Sequence, residues 1–592
     1  MMFKKALNLL IFALFTFCLL FFSVLLYIKY LWPNADYEQI INTIKDLTFN
    51  VIKENTYPSD IFFSLLFFII IWPLAGLKLS AKQQLFSIFV LIFGALYLSG
   101  ALTYAYLSRQ TSTLYETRYA DPEQLKIDFK NKKRNLILIY LESFEENLKE
   151  AEHYEQNLIP NLSSYLTDEN HSENYHPVLG ANYSIAALVA THCAIPLRYA
   201  KDRDIWAMRY FMPQAVCFPE ILKQNGYQTK IIKAADIRFT YAHIFATTHG
   251  YEQALGINEL REKYPELNDK KYAGCFGGLS DRTLFEYAKK ELSAFSPDKP
   301  FLLTLFSLDT HTPSHYIDPQ CPQKFHDIRD AYLCTDSIVN EFIGWLKTTP
   351  YWQNTTVVIL GDHLLPTRMY TKGHPKRRVL NVFLNLPEDL KISSNRNISG
   401  LDIAPTLLES VGINLPAHAF GLGRSLFAEE PTLFETFGKD INLKLIQNSE
   451  IYNRFRTPKE ERKETYLPYN FGQTLTNESI LPYTDAYDNV LGTYYLDRVN
   501  LLLPETPNAD LKVSVTFKSV TDKDAFILFS ANEKEVARYT PKPNEQTPYT
   551  IEFTVKKELI TENKLQLKFR NNKGVTSAME MGIAPLALTV NK

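Results

Sequence analysis

The sequence predicts an α/β domain with a mostly parallel sheet, set behind an N-terminal helical membrane anchor and followed by an antiparallel β domain. Three observations carry this expectation. Long stretches that are both uncharged and almost wholly apolar are confined to the first 108 residues. Short apolar runs then alternate with segments of helical periodicity. Beyond about Leu481 the hydrophobic pattern changes to period two.

The anchor comes first. Ala6 to Ile28 carries no charge for 23 residues, Ile61 to Leu77 for 17 and Gln83 to Ser108 for 26. A helical span takes about 20 apolar residues. Residues 1–110 are therefore expected to hold three membrane helices, over about 6–28, 61–77 and 83–108. Lys4 and Lys5 precede a run too long for a signal peptide, and no small-residue cleavage site follows it. Lys4, Lys5, Lys78 and Lys82 flank the runs on one side. The loop after the first run carries Asp36, Glu38, Asp46, Glu54 and Asp60. The positive-inside rule then puts the N-terminus and the second loop in the cytoplasm, and three crossings place the body of the chain outside.

That body has ordinary globular chemistry. Of 592 residues, 46% are hydrophobic and 22% charged, which excludes a disordered chain. The net charge of -2 supplies no basic field, so no nucleic-acid partner is expected. Cys193, Cys217, Cys275, Cys321 and Cys334 would face an oxidising compartment. Cys193–Cys217 and Cys321–Cys334 are plausible bridges, although spacing does not fix connectivity.

Residues 111–133 read as a linker and 134–430 as the α/β domain. Leu136 to Leu141, Phe301 to Leu308 and Thr356 to Leu360 are short apolar strands, with Val379 to Leu386 as a fourth candidate. Arg282 to Phe295 and Arg329 to Leu346 have helical periodicity. Apolar strands alternating with helices indicate a parallel sheet buried on both faces. Residues 431–480, with the charged stretch Glu450 to Glu464, read as a connecting segment. Residues 481–592 read as a β-sandwich-like domain, from the alternation in Leu511–Phe517 and Leu565–Phe569.

Three strand ends carry chemistry. The first runs into Glu142, the second into Asp309-Thr-His311, the third into Gly361-Asp362-His363. Ligands of open α/β sheets bind outside the carboxyl ends of the strands. Mixed carboxylate and imidazole ligands suit a divalent metal such as Mn²⁺ or Zn²⁺. Ser184 opens the apolar helical stretch Ile185 to Ala190. It is either a nucleophile beside the metal or a plain helix cap. Thr191 and Ser143 are weaker rivals. The basic stretch holding Arg368, Lys372, His374, Lys376, Arg377 and Arg378 is either a dock for anionic head groups or a solvated loop.

Taken together, these residues resemble the phosphoglycerol transferases of the alkaline phosphatase/sulfatase superfamily. The resemblance is nearest to the branch acting on osmoregulated periplasmic glucans and more distant to lipoteichoic acid synthases. The matching motifs are Leu138-Ile-Tyr-Leu-Glu-Ser-Phe144, Ser184-Ile-Ala-Ala-Leu-Val-Ala190, Cys193-Ala-Ile-Pro-Leu197 and Ala215-Val-Cys-Phe218. Leu308-Asp-Thr-His311, Gly361-Asp-His-Leu364, Asp402-Ile-Ala-Pro-Thr406 and Gly421-Leu-Gly-Arg-Ser-Leu426 follow in family order.

The resemblance implies a sulfatase/alkaline-phosphatase-like catalytic domain in a bacterial inner membrane protein, facing the extracytoplasmic side. It implies that Glu142, Asp362 and His363 hold one divalent metal, Mn²⁺ first and Zn²⁺ or Mg²⁺ next, with Ser184 completing the shell as nucleophile. Family members usually have Thr at that position. His311, Arg238 and Asp309 would meet the substrate, with His311 also moving protons. The implied reaction moves phosphoglycerol from phosphatidylglycerol to a glycan through a covalent phosphoglycerol-serine, releasing diacylglycerol at the lipid bilayer. A phosphoethanolamine transferase is the neighbouring alternative, and a catalytically inactive glycan-binding membrane protein is the alternative of another class. Sulfatase chemistry is disfavoured. It uses Cys/Ser-x-Pro-x-Arg, and Cys193-Ala-Ile-Pro-Leu-Arg198 has one residue too many before the proline.

Overall fold

A computed structural model of the chain describes residues 2–31, 37, 40, 79–125, 128–129, 133–198, 211–312, 314–365, 376–457, 467–476, 498–519, 527–532, 534–539, 549–560, 562–571 and 583–591. The chain divides into two compact units. One comprises Met1–Lys201, Ala215–Asp236 and His249–Arg454; the other comprises Asp202–Gln214, Ile237–Thr248 and Phe455–Lys592.

The first unit begins with helices α1 (Met2–Leu31), α2 (Ala81–Leu98) and α3 (Ala101–Leu107). A capping box starts α2: Ser80 Oγ accepts from the Gln83 N–H, and the Gln83 side chain accepts from the Ser80 N–H. Phe15, Cys18 and Leu19 of α1 pack with Ile88 of α2. Among the described helices, α2 alone is long and apolar enough to cross a membrane; Leu7–Ser23 of α1 is a shorter apolar segment.

One expectation changes here, and another falls outside the described residues. The run 83–108 is not one helix, because Gly100 adopts φ +75° between α2 and α3. Glycine takes that backbone at no steric cost, and a count of uncharged residues is blind to it. The expected span 61–77 lies outside the described residues, so three membrane helices are more than those residues contain.

The centre of the unit is a six-stranded sheet. Its strands are β1 (Asn135–Leu141), β2 (Gln228–Lys233), β3 (Gln253–Leu255), β4 (Phe301–Phe306), β5 (Thr355–Gly361) and β6 (Asn381–Leu384). Their order is β3-β2-β4-β1-β5-β6. All neighbours are parallel except β5 and β6. Successive side chains of a strand face opposite sides. Ile137, Ile139 and Leu141 of β1 therefore share a core with Leu284 and Phe285 of helix α5 (Asp281–Ser293) and Val339 and Phe342 of helix α6 (Ile328–Lys347). Tyr140 faces the other way and meets Thr191 of helix α4 (Ser184–Cys193), its hydroxyl 2.5 Å from Thr191 Oγ1.

Strands β2 and β3 were not legible as apolar runs. Lys230 and Lys233 interrupt β2, yet both are buried. Lys230 is neutralised by Glu291 at 2.6 Å. Cys193–Cys217 and Cys321–Cys334 are bonded, and Cys275 is the unpaired thiol among the five. Residues expected to link or connect are structured in part: Asp128–Phe129 pairs with Ile413–Asn414, and short helices span Leu433–Phe437, Ile441–Ile446 and Glu450–Arg454.

The second unit holds two sheets. One runs Leu467–Pro468, Arg498–Leu502, Lys564–Asn571, Ile527–Ala531, Lys534–Tyr539; the other runs Thr474–Thr476, Ile583–Asn591, Leu511–Ser519, Tyr549–Val555. Their inward residues, including Val513, Val515, Phe529, Leu567 and Leu588, form one buried cluster.

Candidate active site

The parallel register brings the acids together. Leu141 of β1 pairs with Gly361 of β5, so the next residues, Glu142 and Asp362, leave the sheet side by side. Gly361 is required by close approach, since a Cβ there would lie 2.0 Å from the Phe144 carbonyl oxygen. The turn after β1 is held at Ser143, whose φ is +58°. Its N–H donates to Asp362 Oδ1 and its hydroxyl to Glu142 Oε1, both at 2.8 Å. Ser143 is thus engaged in positioning both carboxylates.

Glu142, Asp362 and His363 are 4%, 2% and 5% exposed, so solvent does little to screen them. Each offers one ligand atom, and these lie within 4.8 Å of one another. His363 Nε2 is 3.5 Å from Glu142 Oε1 and 3.3 Å from Asp362 Oδ2. The His363 Nδ1–H is spent on the Leu364 carbonyl at 2.9 Å, which leaves the Nε2 lone pair facing the carboxylates. Asp362 Oδ2 is buried without a hydrogen-bond donor.

Burial and then the Glu142 charge push Asp362 up to about 7. Burial also works against Glu142, but His311 and His363 together hold it below its ordinary value. His363 is raised, because Asp362 and Glu142 outweigh its burial. Two buried carboxylates, one of them an orphan acceptor, and an outward-facing imidazole lone pair are the donor set of a divalent cation. The residues present fit one.

Ser184 is the first residue of α4, after Tyr183 in extended backbone, and so is not the cap residue. Its hydroxyl instead lies 3.4 Å from Glu142 Oε2 and 3.4 Å from His363 Nε2. The rivals are otherwise engaged. Thr191 is buried and donates to the Ala187 carbonyl at 2.7 Å.

The remaining candidates separate. His311 is half-buried, within electrostatic reach of Glu142, and its Nδ1 has no hydrogen-bond partner. Phe276 packs edge-on against its ring at 5.0 Å. Asp309 is 2% exposed, and its oxygens accept from the Cys275 and Asp281 N–H groups at 3.3 and 2.7 Å. It holds the 274–281 loop. Burial and then Asp281 raise it well above the carboxylate range. Arg238 precedes the short turn Phe239–Tyr241 in the stretch grouped with the second unit. Most of the basic stretch lies outside the described residues. Arg377, however, is half-buried and paired with Glu145, its Nε 2.9 Å from Oε2.

One residue escaped sequence reasoning. Lys233 ends β2 and is in register with Phe306, as is Tyr140 from the other side. All three share the sheet face covered by α4. Lys233 is 7% exposed, and its Nζ sits 5.4 Å over the Phe306 ring. Among the described residues it has no hydrogen-bonded or ion-paired partner. Burial pulls it down to about 8, with Glu142 and Asp362 opposing. A lysine closing the short Ile231-Ile232 run of the strand beside β4, which leads to Asp309, was the available signal.

Known proteins fit this arrangement. The family model described as Sulfatase matches residues 134–413. Phosphoglycerol transferase I of Salmonella paratyphi B is 29% identical over 345 residues, covering 56% of this chain and 44% of that protein. Its counterpart in Citrobacter koseri is 28% identical over 370 residues, covering 60% and 47%. The chain thus spans less than half the length of these curated relatives. The lipoteichoic acid synthase LtaP from Listeria monocytogenes has a solved structure similar to this one, with a TM-score of 0.42, 19% identity and coverage of 53% of this chain and 81% of that one. The strand order, the acid-bearing strand ends and the family match converge: residues 134–413 are a domain of the sulfatase/alkaline phosphatase superfamily.

Proposed function

We infer that this chain moves a phosphoglycerol group from phosphatidylglycerol to a glycan hydroxyl, through a covalent phosphoglycerol on Ser184 and with one divalent metal. Mn²⁺ is the first choice, Zn²⁺ or Mg²⁺ the next. One observation carries the reading: the Ser184 hydroxyl is 3.4 Å from both Glu142 and His363 at the mouth of a buried carboxylate–imidazole set. The transferred group is suggested by the relatives over this region, which are phosphoglycerol transferases.

Glu142, Asp362, His363 and the Ser184 oxygen would hold the metal. When bound, it supplies positive charge beside the reacting phosphate and favours the ionised hydroxyl. Ser184 gives up its hydroxyl proton to solvent and attacks phosphorus, the bond from phosphorus to the diacylglycerol oxygen breaks, and that oxygen takes a proton. His311 stands ready to give this proton and to remove one from the acceptor hydroxyl in the second step. The acceptor oxygen then attacks phosphorus, the Ser184 oxygen–phosphorus bond breaks, and Ser184 regains its proton. Lys233 offers its unpaired ammonium to the phosphate. Helix α2 would keep this chemistry beside the leaflet that contains the lipid, in a bacterial inner membrane with the domain on its outer side.

The test supplies vesicle-embedded protein with head-group-labelled phosphatidylglycerol. Diacylglycerol release and label trapped on Ser184 are expected. Release unchanged in Ser184→Ala overturns the nucleophile. Label trapped from phosphatidylethanolamine instead selects the phosphoethanolamine reading.

A further inference from the structure

A second set of ligand-type side chains lies apart from the Glu142 cluster. Glu146 opens the short turn Glu146–Lys149 after β1, and its N–H donates to the Arg378 carbonyl at 2.9 Å. His171 and Glu173 come from the loop leading to Asn174–Tyr175. One ligand atom from each of Glu146, His171 and Glu173 lies within 4.8 Å of the other two.

The bonding pattern there is incomplete in a specific way. His171 is 4% exposed and Glu146 5%. His171 Nδ1 is 2.6 Å from the Thr167 carbonyl oxygen. A carbonyl only accepts, so Nδ1 carries a proton, and in the neutral ring Nε2 is the free lone pair. That Nε2 is buried with no hydrogen-bond partner, and so is Glu146 Oε2. Nε2 lies 3.9 Å from Glu146 Oε1, too far for a hydrogen bond. Two buried atoms of this cluster, His171 Nε2 and Glu146 Oε2, are thus left without a hydrogen-bond partner, which leaves their desolvation uncompensated.

The frame around them is fixed. The Ser172 N–H donates to Asn381 Oδ1 at 2.8 Å, Asn381 Nδ2 returns to the Ser172 carbonyl at 2.7 Å, and the Glu173 N–H donates to the Ser394 carbonyl at 3.0 Å. The nearby positive groups are Lys149, on Glu146 Oε1 at 2.7 Å, and Arg378, within electrostatic range of Glu146. The Lys149 side chain is 34% exposed and free to swing into solvent, releasing that oxygen.

We propose that Glu146, His171 and Glu173 form a second divalent-cation site. One imidazole nitrogen and two carboxylates with open positions for water are a zinc-type donor set. The ion would tie the turn after β1, which carries Glu142 and Glu145, to the loop that leads toward Ser184. It does not depend on the reaction assigned to the Glu142 cluster.

Metal counting decides it, on full-length protein in detergent under non-reducing conditions, loaded with Zn²⁺ alone. Wild type is expected to hold two ions per chain, His171→Ala one and His363→Ala one. Because Glu173 is exposed, Glu173→Ala leaves the fold intact and is expected to weaken the second ion about tenfold or more. A wild-type count that His171→Ala does not lower overturns the proposal, as does an unaltered affinity of the His171-dependent ion in Glu173→Ala. Loss of the His363-dependent ion alone would count against the catalytic metal and leave this site standing.

Discussion

Ser184 Oγ and His363 Nε2 stand 3.4 Å apart although 179 residues separate them in the chain. They meet because α4 begins at the sheet edge where β5 ends. The helix presents its first hydroxyl to an imidazole whose other nitrogen is already committed to Leu364. The contact lies among groups that are deeply buried, so each becomes sensitive to any cation that enters.

Ser184→Ala should abolish turnover, with a loss on the order of 10⁴-fold or more in kcat, since removal of a covalent nucleophile is rarely compensated. Ser184→Thr keeps the hydroxyl and should still trap labelled head group. Mass spectrometry of the trapped peptide checks both.

Metal affinity should depend on pH through Asp362. In the metal-free protein this group sits at about 7, so below that value an incoming ion must displace its proton. Affinity should fall at least about tenfold for each unit below 7, because Asp362 and the raised His363 both hold protons that an incoming ion must displace. Isothermal titration with Mn²⁺ across the pH range measures this. In melting experiments, saturating metal at about 1,000 times Kd should add about 4 kcal/mol of stability, and chelator should remove it.

Lys233→Met keeps most of the buried volume and removes the charge. Loss of one charge-assisted contact to phosphate, about 1.5–3 kcal/mol, lowers kcat/KM for the lipid by roughly 10- to 100-fold. The melting temperature should hold or rise, because an unpaired buried ammonium is removed. This split separates a substrate contact from a structural lysine. In wild type the ammonium is charged below about 8 and neutral above, so kcat/KM should fall as pH rises through that value. A bound divalent cation lowers Lys233 further, so the limb lies at about 8 or below. Lys233→Arg should move it upward, because a guanidinium keeps its charge.

The Cys193–Cys217 bridge ties the end of α4 to a residue 24 positions on. Cys193→Ala should cost about 3 kcal/mol of stability by the loop-closure argument. Turnover at low temperature should change much less, since the bridge lies at the opposite end of α4 from Ser184. Comparing urea melts with activity at 10 °C tests the separation (a temperature chosen as roughly well below unfolding).

Much of the α/β domain was legible because its chemistry is written at strand ends. Short, continuous, β-branched-rich apolar runs such as Asn135–Leu141 and Thr355–Gly361 favour buried strands, and the acids that follow leave the sheet at its edge. The helical periodicity of Asp281–Ser293 and Ile328–Lys347 was readable for the same reason. Strand β2 was hidden because burial of Lys230 depends on Glu291, a partner 61 residues away that no local pattern reveals. The break at Gly100 was hidden because it is a matter of one backbone angle inside an uncharged run.

The sequence by itself determined that Glu142, Asp362 and His363 would close strands of one parallel sheet, since hydrophobic continuity and period are local properties. Only the tertiary structure decided what each side chain was free to do. Ser184 keeps its hydroxyl clear of cap duty, Ser143 spends its own on Glu142, and Asp309 spends both oxygens on backbone N–H groups. It also buried Lys233 in register with Phe306 and left His171 Nε2 and Glu146 Oε2 buried without hydrogen-bond partners. Availability for chemistry is set by which hydrogen bonds remain unmade after folding, and those bonds join residues far apart in the chain.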